Sequence, residues 1–99
     1  MTSIHANEDR TYDLTVFGAT GYTGRLVLKY LNELKQSNRL GKEVKLCFAG
    51  RDIKLIKVLS QQLCPAIQNT AIVFADVVDE ASIYRMASDT RVVLSCVVS

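Results

Sequence analysis

Three glycines at a spacing of three, Gly18, Gly21 and Gly24, sit at one junction in the chain, Val16-Phe17-Gly18-Ala19-Thr20-Gly21-Tyr22-Thr23-Gly24-Arg25. The residues before them, Tyr12-Asp13-Leu14-Thr15-Val16-Phe17, form a β-rich run that predicts a strand. From Tyr22 to about Ser37, the positions Leu26, Val27, Tyr30, Leu31 and Leu34 fall on one stripe of an amphipathic helix. A strand that turns straight into a helix through glycines is how a βαβ unit begins. No other feature of the sequence narrows the fold as much.

The rest of the chain continues the alternation. Val44–Ala49 reads as a second strand closed by Gly50, and Ile53–Leu63 as a helix with Asp52 as its N-cap and Pro65 just beyond its end. Ala71–Ala75 is an apolar strand ending at Asp76. Asp79 then starts a third helix with Ile83, Met86 and Ala87 inward, and Arg91–Val98 is the last strand. Continuous apolar strands predict a sheet covered on both faces, hence parallel strands joined by crossover helices. Right-handed crossovers give β-α-β-α-β-α-β in the strand order 3-2-1-4, the first half of a doubly wound α/β sheet. Met1–Thr11 reads as a flexible tail, and residues 12–99 as one partial domain.

Each glycine has a physical purpose at such a junction. Gly18 lets the chain turn sharply off the strand, Gly21 lets the backbone approach a pyrophosphate, and Gly24 lets the helix pack closely on the sheet. The helix N-terminus offers N–H groups and a partial positive charge to phosphates. Thr20 and Thr23 add hydroxyl donors at the same rim. Tyr22 either covers the phosphates or packs against the sheet.

Beyond the second strand, Arg51 is the candidate ligand for the 2′-phosphate of NADP, since its guanidinium presents several donors in one plane and stays charged. The alternative is a solvated loop residue. Asp52 could hold a ribose hydroxyl as in NAD-binding proteins, but helix capping is its expected task, so the balance favours NADP over NAD. Asp76 lies on the same carboxyl edge, where it either contacts an adenine or closes a turn. Cys96 lies near the end of the fourth strand and reads as an inert core thiol.

Composition removes several function classes. Among the 99 residues, 48% are hydrophobic and 22% charged, which is ordinary for a globular core, and the net charge of +2 is too small for a nucleic-acid binder defined by charge. Nine Lys or Arg and three Asp or Glu fall between Arg25 and Lys57, leaving three against seven elsewhere. That excess is either a positive face suited to a phosphate-bearing ligand or a solvated helix surface. Three cysteines, Cys47, Cys64 and Cys96, and one histidine, His5, give neither a disulfide framework nor a zinc pattern. No signal peptide, transit peptide or membrane-length apolar run is present, so a cytoplasmic location is the expectation. No nucleophile–histidine arrangement, Tyr-x-x-x-Lys pair or carboxylate pair is visible, and no catalytic residue is assigned.

The run Asp13–Leu26, the element Ala49-Gly50-Arg51-Asp52, the pair Asp76-Val77 and the segment Val93-Leu94-Ser95-Cys96-Val97 together resemble the N-terminal region of saccharopine dehydrogenase-like oxidoreductases, whose relatives include trans-acting enoyl reductases. The resemblance implies a Rossmann domain followed by a larger substrate domain, and NAD(P)-dependent reduction. It carries cofactor contacts to Gly18, Gly21, Gly24 and Arg51. The Gly-Pro-Tyr turn that the family implies after Cys96-Val97 is replaced by Val98-Ser99, so the expectation is a truncated product or fragment. Two other readings stay open: a non-enzymatic NADP-sensing module, and a remnant with no specific ligand. An exposed last strand predicts self-association, and membrane or lipid-body attachment of the family type would use regions outside this chain.

Overall fold

A computed structural model describes residues 10–97; His5 and the Val98-Ser99 ending lie outside them, as does the tail up to residue 9. Seven elements alternate: β1 (Tyr12–Phe17), α1 (Tyr22–Gln36), β2 (Leu46–Gly50), α2 (Ile53–Leu63), β3 (Ala71–Phe74), α3 (Glu80–Ser88) and β4 (Thr90–Ser95). All strand pairs are parallel and the order is β3-β2-β1-β4, the half doubly wound sheet read from the sequence.

Side chains alternate across the strands and divide the core in two. On one face Val16, Leu46 and Phe48 pack with Leu28 and Leu31 of α1 and Ile56 and Leu59 of α2. On the other, Phe17 and Ala49 pack with Met86 and Ile83 of α3. Phe48, Leu28, Ile56 and Val16 are fully buried, each contributing about 1.5–3 kcal/mol of hydrophobic stabilisation. Asp52 and Asp79 cap α2 and α3 by accepting the N–H groups of Leu55 and Ser82.

Three sequence expectations need correction. The buried face of α1 is Gly24, Leu28 and Leu31, flanked by Val27 and Leu34, whereas Leu26 and Tyr30 are exposed, Tyr30 by 56%. Gly24 packs against the glycine loop and thereby fixes the rotation of the helix, overriding the apparent stripe. On α3, Ala87 is exposed and Ser82 takes the inward position, its hydroxyl donating to the Asp79 carbonyl at 2.7 Å. Cover on both faces holds for β2, buried along its whole length, but not for β4, where Val92 is 56% exposed and Leu94 is also open. These two residues register beside Leu14 and Val16, on the face where α1 and α2 pack over β1, β2 and Ile72 of β3 but leave β4 open.

The strands are also shorter at their ends than the apolar runs suggest. β2 starts at Leu46 rather than Val44, since the ladder to β1 begins with Leu14 beside Leu46. β3 stops at Phe74 and β4 at Ser95. At the tail's inner end, Arg10 donates to the carbonyls of Ala87 (2.7 Å) and Thr90 (2.9 Å), which ties the chain to the end of α3 before β1 begins.

Candidate dinucleotide cleft

The carboxyl ends of all four strands open into one cleft of about 710 Å³. Gly18, Thr20, Gly21, Tyr22 and Thr23 line it from the β1–α1 loop, Arg51 and Asp52 from the end of β2, Asp76 from the end of β3, and Cys96 from the end of β4. Every expected site residue except Gly24 therefore meets on this edge, where open α/β sheets bind their ligands. Gly24 lies beneath the loop rather than in the cleft.

The three glycines are there for different reasons. Gly18 has φ +86°, the left-handed region, and a Cβ there would lie 2.9 Å from Val97 Cγ2. A Cβ on Gly24 would lie 2.6 Å from Ala19 Cα and 2.7 Å from its carbonyl carbon. Both residues must be glycine because of the protein's own atoms. Gly21 is different. Its φ of −75° and ψ of 175° suit any residue, and a Cβ would meet only the Gly18 carbonyl oxygen, at an ordinary 3.7 Å. The space it leaves opens into the cleft.

Gly21 is also the N-cap of α1, which has no side-chain cap and no acidic residue in its first turn. Its N–H donates to Gly18 O (3.2 Å) and its carbonyl accepts from Arg25 N–H (2.9 Å). The partial positive charge of this helix end therefore faces the cleft with no acidic residue in its own first turn to balance it.

The remaining side chains divide between local structure and solvent. Tyr22 is 80% exposed at the rim and does not pack on the sheet. Arg51 is exposed and makes no hydrogen bond or ion pair among the described residues. Asp52 caps α2 through Oδ1 at 3.0 Å. Asp76 accepts the Val78 N–H at 3.1 Å through Oδ1, closing the turn after β3. Cys96 is buried in the core, and burial pushes its thiol pKa up, as it does for Cys64 and, to about 11, Cys47. All three are free thiols, and no group of three potential metal ligands occurs among the described residues.

Leu55, Val77, Val78 and Val97 also line the cleft and were not anticipated. The one signal for them was the apolar pair Val77-Val78 after Asp76, both exposed in a turn where polar residues are usual.

The fold and the cleft define a Rossmann-like α/β half-domain. Comparison with known proteins extends this to a family: over nearly its whole length the chain is similar to saccharopine dehydrogenase-like oxidoreductases. It is 32% identical over 98 residues to the protein of that name from Bos taurus, an alignment covering 93% of this chain and 23% of the relative. It is 36% identical over 90 residues to the lipid droplet localized protein of Caenorhabditis elegans, covering 87% and 20%. It is 28% identical over 88 residues to a protein of Mycobacterium tuberculosis named as a trans-acting enoyl reductase, covering 89% and 20%. The chain thus spans about a fifth of the length of the curated relatives it matches. No family model and no solved structure matches it. No helix among the described residues is long and apolar enough to cross a membrane.

Proposed function

We propose that the cleft is the NADP site of a saccharopine dehydrogenase-like oxidoreductase, and that this chain is its cofactor-binding portion. The observation that carries the reading is Gly21, a glycine that neither its backbone angles nor its neighbours require, at the mouth of a cleft on the sheet's carboxyl edge. A missing Cβ there makes sense if a ligand occupies the space.

The pyrophosphate is held at the uncapped start of α1, by N–H groups of its first turn and the hydroxyls of Thr20 and Thr23. Arg51 takes the 2′-phosphate, and Val77 and Val78 supply apolar surface for the adenine beside Asp76. When bound, the cofactor supplies hydride chemistry through its nicotinamide. The residues of this chain bind and orient it. None is assigned a catalytic role, and hydride transfer is proposed for a larger protein that includes a substrate domain. The name of the Caenorhabditis elegans relative extends the proposal to association of that larger protein with lipid.

The test is a fluorescence titration of NADPH against the wild-type chain and Gly21→Val. A branched side chain in the open space should weaken NADPH by at least about tenfold, the effect of losing ~1.4 kcal/mol, with the unfolding midpoint in urea unchanged. Saturable binding that Gly21→Val leaves intact would overturn the assignment of the cleft, and absence of wild-type binding would favour a remnant without a specific ligand.

A further inference from the structure

Arg25 does not line the cleft, yet its Nε donates to the Thr20 carbonyl oxygen at 2.9 Å. It occupies the first turns of α1, where a cation is disfavoured by the helix dipole, and it has no acidic partner among the described residues. Helix electrostatics alone therefore gives no reason for an arginine here.

The Thr20–Gly21 peptide supplies one. Its N–H bonds to the Gly18 carbonyl at 3.2 Å, and its carbonyl is directed at Arg25. The glycine on one side of this peptide, needed to leave space for a phosphate, also removes the steric barrier that would stop the peptide from rotating. A rotated peptide would carry its carbonyl oxygen away from Arg25 and disturb the first helical turn that offers N–H groups to an anion. The guanidinium, outside the cleft lining, holds that carbonyl.

We propose that Arg25 is a positioning residue that locks the Thr20–Gly21 peptide, keeping the glycine loop in the orientation that accepts a diphosphate. The proposal rests on the cleft being a dinucleotide site, and it assigns Arg25 a hydrogen-bonding task rather than direct attraction of the ligand.

Two substitutions separate these tasks. In Arg25→Gln the side-chain amide nitrogen stands at the same depth from the backbone as Arg Nε, so a donor is kept and the charge is lost. Arg25→Met keeps similar length and has neither. The 99-residue chain and both variants are titrated with NADPH and NADH, and the exchange rate of the Gly21 amide proton is followed by NMR. Arg25→Gln should bind within about twofold of wild type. Arg25→Met should bind both cofactors about three- to tenfold more weakly with an unchanged NADPH-to-NADH ratio, the loss of one exposed hydrogen bond. Its Gly21 amide should exchange faster than in wild type or Arg25→Gln. Equal weakening by the two variants would overturn the lock in favour of charge, and no weakening by either would overturn it outright. If wild type binds neither cofactor, the cleft assignment fails by itself and the lock is judged on Gly21 exchange alone: faster in Arg25→Met than in Arg25→Gln sustains it, and equal rates refute it.

Discussion

Arg51→Ala isolates the choice between NADP and NAD. Arg51 follows Gly50, the last residue of β2, and lines the same cleft as the glycine loop. It is exposed and has no hydrogen bond or ion pair among the described residues, so its removal breaks no polar interaction there. Stability should change by less than about 0.5 kcal/mol, as for surface substitutions away from special features. A hydrogen bond to a charged group contributes about 1.5–3 kcal/mol net, and exposure to solvent puts this one at the lower end. About 1.5 kcal/mol corresponds to roughly a tenfold preference for NADPH over NADH. The assay is parallel fluorescence titration of both cofactors at fixed ionic strength, repeated at high salt, where screening should shrink the preference. Arg51→Ala should bring the ratio close to one through weaker NADPH binding, with NADH changed by no more than about twofold because the pyrophosphate contacts persist. A wild-type ratio near one, or a ratio that survives the substitution, would refute the reasoning. Asp52, which now caps α2 through Oδ1, would then become the candidate ribose ligand.

Gly24→Ala should cost about 3 kcal/mol, the upper part of the overpacking range, because its Cβ would meet backbone atoms of Ala19 that cannot move aside; a thermal midpoint lowered by less than about 4 °C, the shift expected for only 1 kcal/mol in a domain of this size, would count against that packing. The buried thiols make stability fall at alkaline pH: a thiol pKa raised on folding favours the native state fully below the unfolded value of 9.0, and the contribution of Cys47 is lost as pH rises toward about 11. Urea midpoints measured between pH 8 and 11 should decline for wild type and decline less for Cys47→Ala. The open edge of β4, with Val92 and Leu94 exposed on one face, should make the isolated chain self-associate with rising concentration. Sedimentation should show Leu94→Lys to be less associated, and a strictly monomeric wild type at high concentration would contradict the edge argument.

Much of the fold was legible because its strongest signals are local. A β-rich run, a glycine turn and a helix start leave few alternatives, and Asp52 and Asp79 cap their helices as the sequence suggests. What the sequence hid depends on which surfaces meet. The stripe containing Leu26 and Tyr30 is apolar and has helical spacing, but the contact that sets the rotation of α1 is Gly24 against the loop, and a glycine is invisible to a hydrophobic pattern. Continuous apolar strands read as covered on both faces, yet burial of Val92 depends on a neighbour that α1 and α2 do not provide. Val77 and Val78 have no periodicity, so their apolar character in a turn is the one sign of them that the sequence carries.

Within the motif itself, one letter encodes two kinds of constraint. At Gly18 and Gly24 the chain's own atoms exclude a Cβ, so substitution there should lower stability whether or not a ligand binds. At Gly21 nothing in the folded chain excludes it, so the effect of substitution should fall on binding. Gly50 makes an intermediate case: a Cβ would stand 3.0 Å from Ile56 Cδ1, the far end of a side chain that can rotate. Alanine there should cost a repacking of Ile56 rather than a displaced backbone. Since Gly50 also borders the cleft beside Arg51, it should disturb stability and binding together. Sequence spacing cannot separate these cases, because glycine is permitted by all of them; the neighbours that a Cβ would meet can.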